Sequence, residues 1–168
     1  MTTVSIYRNG TLKAATYSGE NLEYAKKADS KKPVHMPNGR SGSLYGSADL
    51  NGVTRWTRAH LMNPRNREDL ETYELKINAD NVYVYEIDLW EGYSWNNEPA
   101  ENYWNSGVPL TEFIETIEDY DTTEWEILFN EKDIISSKRV TRKRMLNAVS
   151  DDYFKHELED LLKEHNIR

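Results

Sequence analysis

Stretches that alternate apolar and polar residues are interleaved along this chain with stretches whose apolar residues recur at helical spacing. That interleaving restricts the fold more than any other feature. The clearest strand signals are 71–77 and 82–89, on either side of the turn residues Asn78, Ala79, Asp80 and Asn81. In the second run Val82, Val84, Glu86 and Asp88 share one face, while Tyr83, Tyr85, Ile87 and Leu89 share the other. Two aromatic-rich runs joined so closely predict a hairpin. Residues 124–129 and 134–140 predict a second strand pair, and 4–8 a first strand closed by Asn9-Gly10. Helical spacing predicts helices over 22–28, 49–62 and 110–117, and an amphipathic one over about 150–164. Ser47 or Asp49 is placed to cap the second of these. Residues 29–43 read as a long polar loop, 44–45 as a short extended piece, and 90–109, with Trp90, Trp95 and Trp104, as irregular. The expected class is α+β, with mainly antiparallel strands and flanking helices. The expectation is one domain over 1–168, with its core in 4–140.

Composition removes several function classes. The 168 residues contain no cysteine, which rules out a disulfide scaffold and any thiolate metal site. A net charge of −8 disfavours broad binding to nucleic acid or an anionic membrane. No apolar run approaches the roughly 18 residues of a membrane span. The opening MTTVSIYRNG has no basic-then-apolar leader pattern. The expectation is a soluble cytoplasmic protein, with a secreted or delivered effector as the alternative. One local exception to the acidity is the cluster Lys138, Arg139, Arg142, Lys143 and Arg144, read either as a solvated edge or as a phosphate- or partner-binding patch.

Common catalytic motifs are missing: no G-x-G-x-x-G, no Walker loop, no H-E-x-x-H and no nucleophile elbow. His35, His60, His156 and His165 lack metal-ligand spacing and read as surface or half-buried residues, so no metal is expected. Three features remain. An arginine, Arg8, closes the first strand as Tyr7-Arg8-Asn9-Gly10. A serine, Ser47, follows a short aromatic strand as Tyr45-Gly46-Ser47-Ala48-Asp49 and leads into a helix. A strand, 124–129, carries Glu124 and Glu126 on one face with Leu128, opposite Thr123, Trp125, Ile127 and Phe129. Taken singly, each has a plainer reading: a surface arginine, a helix cap, and the solvated face of an edge strand.

In this order the three features resemble the toxin-like class of mono-ADP-ribosyltransferases, whose members share an Arg, a Ser and a Glu-x-Glu motif. The aromatic-Arg-x-Gly piece matches at Tyr7 to Gly10, and the Glu-x-Glu-aliphatic-Leu strand at Glu124 to Leu128. The serine motif departs from the family's aromatic-x-Ser-Thr-Ser, keeping Ser47 alone. The resemblance implies a split sheet around an NAD cleft, with NAD as substrate. It implies transfer of ADP-ribose to a macromolecular target, a protein first and a nucleic acid second, with arginine as the acceptor residue. Breaking the nicotinamide bond develops positive charge on the ribose, as in glycoside hydrolysis, and a fixed carboxylate stabilises it.

By the resemblance, Glu126 takes that role and Glu124 acts as base toward the acceptor, the two carboxylates titrating as a coupled pair. Ser47 orients Glu126, while Arg8, with Tyr7 and Gly10, holds the pyrophosphate. Tyr45 packs near the nicotinamide, and Asp119 to Thr122 form the turn that meets the target. Because an acid in a cleft usually costs stability, Glu126→Ala is expected to leave the fold stable. Two rivals stand beside this reading. One is an NAD glycohydrolase toxin, on the resemblance of the stretch Arg40-Ser41-Gly42-Ser43-Leu44-Tyr45, although the following helix presents Arg55, Trp56 and Arg58 where such domains carry an acid. The other is a non-catalytic acidic inhibitor or binding module, such as a phage protein that blocks a host enzyme.

Overall fold

Two antiparallel sheets, rather than two hairpins, organise the strands in the computed structural model, which describes residues 1–14, 19–64 and 70–168. In chain order the elements are β1 (Thr3–Asn9), α1 (Gly19–Asp29), β2 (Leu44–Gly46), α2 (Leu50–Met62), β3 (Thr72–Asn78), β4 (Tyr83–Glu86), α3 (Ile87–Asn96), α4 (Ala100–Asn105), β5 (Val108–Pro109), α5 (Leu110–Glu115), β6 (Trp125–Phe129), β7 (Ile134–Arg139), α6 (Arg142–Asn147) and α7 (Asp152–Glu164). Short 3-10 turns lie at Ile117–Asp119, Thr122–Glu124 and Glu131–Asp133. One sheet has the order β1-β3-β7 and the other β2-β6-β4-β5, with every pairing antiparallel.

The α+β class and the antiparallel pairing match the sequence expectation; the hairpins do not. Strands β3 and β4 belong to different sheets, and so do β6 and β7. The reason lies in what their apolar faces bury. Leu75 and Ile77 of β3, Val82 and Val84 around β4, and Ile127 and Phe129 of β6 all point into one core between the sheets, joined by Ile6, Leu44, Leu110 and Phe113. The chain therefore crosses over this core at 79–81, with Asn81 in the left-handed region at φ 62°, instead of folding back on itself. Two other expectations fail nearby. Residues 87–89 open helix α3 rather than extending β4, and the stretch 90–109 holds α3, α4 and β5 rather than irregular chain.

The outer faces are covered by helices. Leu61 of α2, Met145 of α6, and Leu158 and Leu162 of α7 pack with Val140 and Val149 beyond β1 and β7. Outside the second sheet, Tyr85, Tyr103, Trp104, Leu128 and Met36 form an aromatic layer, flanked by Tyr45 and Trp90. Trp104 donates its indole N–H to the Ala28 carbonyl at 2.8 Å, which ties α4 to α1. The C-terminal helix is capped by Asp151, which accepts from the Phe154 amide at 2.7 Å.

An isolated bridge stitches the two sheets together. Tyr7 and Ser47 exchange backbone hydrogen bonds, Tyr7 N to Ser47 O at 2.9 Å and Ser47 N to Tyr7 O at 2.7 Å. Gly46 permits the approach, since a methyl group there would sit 3.1 Å from the Tyr7 carbonyl oxygen and 3.2 Å from the Phe129 ring. Asp49, not Ser47, caps α2 by accepting from the Gly52 amide at 2.8 Å. The same carboxylate oxygen accepts from the Thr122 hydroxyl at 2.8 Å, and Arg55 donates to the Thr123 carbonyl at 3.1 Å. The turn before β6 is thus locked onto the start of α2.

Two predictions follow from this packing. A methyl group at Gly52 would lie 2.9 Å from the Thr122 carbonyl oxygen. Helix propensity alone favours Gly52→Ala by up to about 1 kcal/mol. The expected outcome in urea titration is the reverse, a loss of about 1–3 kcal/mol from overpacking. The second concerns acid. Arg144 hydrogen-bonds Glu74 and holds its carboxyl below the usual glutamate range. A lowered folded-state value stabilises above the unfolded pKa and is lost as pH falls through the folded one. Glu74→Gln should therefore lower stability at neutral pH and converge on wild type below about pH 4, where glutamates titrate, so that urea titrations at several pH values show a flatter acid limb.

Candidate active site

A cavity of about 260 Å³ opens beside the stitch between the sheets. Tyr7, Arg8 and Asn9 of β1 form one wall, and Tyr45, Gly46 and Ser47 another. Val53, Trp56 and His60 of α2 line a third side, with Glu126 of β6 and Arg40 completing the lining. Of the site residues expected from sequence, Arg8, Tyr7, Tyr45, Ser47 and Glu126 thus converge on one cavity. Gly10 and Glu124 are not part of its lining. Gly10 is buried at φ 117°, its amide bound to the Glu71 carbonyl at 3.0 Å, so it shapes the exit of β1.

The paired acids part company. Residues 125–129 form the strand expected of them, with Glu126 on the Leu128 face, but Glu124 lies in the preceding 3-10 turn and is exposed. The Asp121 side chain accepts from the Thr123 amide at 3.1 Å, and the Asp121 carbonyl from the Glu124 amide at 3.0 Å, so the ladder starts one residue later. Glu126 is only 6% exposed. Its carboxylate is held not by Ser47 or Glu124 but by an ion pair with Arg40 and by the Tyr103 hydroxyl, which donates to Oε1 at 2.7 Å. Burial, with Glu126 alongside, drives the Tyr103 phenol well above its ordinary range, so it remains a donor.

Ser47 occupies a special position. The β2–β6 ladder pairs Tyr45 with Leu128 and ends at Gly46 and Ile127, the residues that adjoin Ser47 and Glu126 in the chain. The Ser47 hydroxyl is buried and has no hydrogen-bond partner among the described residues, and Ser47 belongs to the cavity wall. An orphaned buried hydroxyl of this kind costs free energy until something binds it. Arg8 directs Nε to the Thr11 carbonyl at 2.7 Å and Nη1 to the Tyr45 carbonyl at 2.9 Å. Its guanidinium therefore braces β2 as well as facing the cavity. His60 meets Asn9 Oδ1 through Nδ1 at 2.6 Å, while Asn9 donates to Thr72 Oγ1 at 3.0 Å.

Sequence reasoning missed the aromatic surround of Glu126. The Arg40 guanidinium lies 3.8 Å from the Trp90 ring centroid and 4.7 Å from that of Tyr45. Trp90 and Tyr103 come from α3 and α4, in the stretch read as irregular. Arg40 comes from the long polar loop, considered only for the glycohydrolase rival, and loop length was the available signal. Asp29 anchors that loop, accepting from the Arg40 amide at 2.7 Å and the Ser41 amide at 3.1 Å. Burial raises the Asp29 carboxyl, and those two amides oppose the rise. The basic cluster is dispersed: Arg144 is engaged by Glu74 and Arg139 donates to the Arg168 carbonyl, while Lys138 and Lys143 are exposed.

No family model, curated protein or solved structure matches the chain. Among the described residues no helix is long and apolar enough to cross a membrane, and no group of three or more His, Cys, Asp or Glu side chains could hold a metal ion.

The buried pair reverses the expected stability effect of mutating Glu126. Removing one member of a buried ion pair typically costs about 3–5 kcal/mol, because the other charge is left unpaired. Glu126→Ala, Glu126→Leu and Arg40→Met should each destabilise by amounts of that order. Glu126→Leu combined with Arg40→Met should lose much less than the sum, giving a coupling of at least about 2 kcal/mol in a denaturation double-mutant cycle.

Proposed function

We propose that the protein is a mono-ADP-ribosyltransferase that uses NAD as substrate. The observation that carries this reading is the convergence of Arg8 of β1, Ser47 just after β2 and Glu126 of β6, three residues far apart in sequence, on one cavity at the junction of two sheets. In the reaction the bond between ribose C1′ and the nicotinamide nitrogen breaks, and the electron pair leaves with nicotinamide. Glu126 stabilises the positive charge left on the ribose. Ser47 offers its unpartnered hydroxyl to the substrate or to Glu126. Arg8 supplies a cation for the pyrophosphate, and an arginine of a target protein is the acceptor. Glu124, at the surface just ahead of β6, is suited to take the proton that the acceptor loses. The donor set fits this substrate. The volume fits only part of it, since sites for drug-sized ligands run to roughly 300–1,000 Å³ and this cavity, with Arg40 in its wall, has about 260 Å³.

One observation favours the non-catalytic reading: Glu126 is engaged through Oε1 by both Arg40 and Tyr103, as a structural ion pair would be. Incubating purified wild type and Glu126→Gln with adenylate-labelled NAD and a cell lysate separates the two. The transferase reading predicts label on a discrete band and nicotinamide release by wild type, both reduced at least about 100-fold in Glu126→Gln of unchanged circular dichroism. Nicotinamide release without transfer would indicate the glycohydrolase. Absence of both, with no NAD binding by calorimetry, would leave the binding module.

A further inference from the structure

We propose that Trp90, Tyr45, Tyr103 and Glu126 form a binding site for a planar cation, which Arg40 fills as an internal occupant and which an external flat cation enters by displacing the Arg40 side chain. The proposal rests on the cage itself and stands whether or not the cavity splits NAD.

The walls of the cage define its ligand. The Arg40 guanidinium lies over two ring faces at 3.8 and 4.7 Å and within 5.4 Å of the Tyr103 ring centroid. A flat cation between aromatic rings gains from the ring quadrupoles, and more so when desolvated. The Glu126 carboxylate provides the counter-charge, and Tyr103, wholly buried, is bound to both it and Arg40. The slot is therefore selective for charge through Glu126 and for flatness through Trp90 and Tyr45. A pyridinium and a guanidinium share both properties.

The occupant is attached in a way that allows exchange. The loop backbone is fixed, since Asp29 holds the Arg40 and Ser41 amides and the Tyr45 hydroxyl donates to the Arg40 carbonyl at 2.9 Å. Only the Arg40 side chain needs to leave, by rotation about its own torsions. It is itself a wall of the neighbouring cavity, so its withdrawal joins cage and cavity into a longer cleft that runs past Ser47 to Arg8 and His60. With Arg40 in the cage, Glu126 is paired and the way from the cavity to the cage is blocked.

The test compares wild type with Arg40→Ala by calorimetry and thermal shift, using guanidinium, 1-methylnicotinamide and tetramethylammonium at non-denaturing concentrations. Arg40→Ala should bind a planar cation about tenfold more tightly than wild type, a cation–π gain of the size seen at desolvated sites. Tetramethylammonium, which is not flat, should bind no better to one than to the other, and adding Trp90→Ala should abolish the gain. Preference for guanidinium points to an arginine side chain as the natural ligand, and preference for 1-methylnicotinamide to a pyridinium. Equal affinity of the two proteins, or no planar-cation binding by folded Arg40→Ala, would overturn the proposal. If Arg40→Ala does not fold, Arg40→Gln replaces it. The wild type provides an independent reading, because its Arg40 Nε–H resonance should shift as 1-methylnicotinamide is titrated; a resonance that stays fixed at saturation would likewise overturn the proposal.

Discussion

Two hydrogen bonds between Tyr7 and Ser47 hold the architecture of the site together. Each sheet is internally paired, and this bridge joins a β1 residue to the residue after β2. It forms because Gly46 has no side chain to keep the strands apart. The cavity opens beside the bridge, lined by residues of both sheets. Arg8 and Ser47 face that opening because they adjoin the bridge, and Glu126 does so because β6 is the neighbour of β2. The Arg8 guanidinium reinforces the junction by donating to the Tyr45 carbonyl on the opposite strand.

The electrostatics of the site depend on how Glu126 is compensated. A carboxylate with 6% exposure costs several kcal/mol to bury unless it is paired. Arg40 and Tyr103 meet that cost in the unliganded protein. A substrate that develops positive charge on its ribose could assume Arg40's place as partner of Glu126. Glu126 then serves two states with one carboxylate, and the aromatic rings that steady Arg40 form a dry surround in which charge interactions are strengthened. The stability of this pair and the chemistry proposed for Glu126 are consequently in competition for the same oxygen atoms.

Much of this was legible in the sequence wherever it depended on local pattern. Residues 125–129 alternate as a strand, and their faces were assigned correctly, with Glu126 beside Leu128 and opposite Trp125, Ile127 and Phe129. The helix after Ser47 was also legible, with Asp49 as one of two candidate caps, as was the short extended piece at 44–45. Strand partnership was not, since alternation fixes which face a residue occupies but not which strand lies next to it. The two expected hairpins failed for that reason. Glu124 was misplaced because Asp121 and Thr123 fold the chain into a 3-10 turn one residue before the ladder begins. Trp90, Tyr103 and Arg40 could not be assigned to the site because the contacts of Tyr103 and Arg40 with Glu126, and of Trp90 with Arg40, span long stretches of chain, and no local spacing signals them.

The central claim is that the junction cavity binds NAD through the Arg8, Ser47 and Glu126 walls. Titrating NAD into isotopically labelled protein and following the assigned backbone amides by NMR tests it most directly. The account predicts saturable shifts concentrated at Tyr7 to Asn9, Tyr45 to Ser47 and Glu126, with the amides of Arg40 and Trp90 moving alongside. Shifts centred on another surface, or none at millimolar NAD, would contradict it.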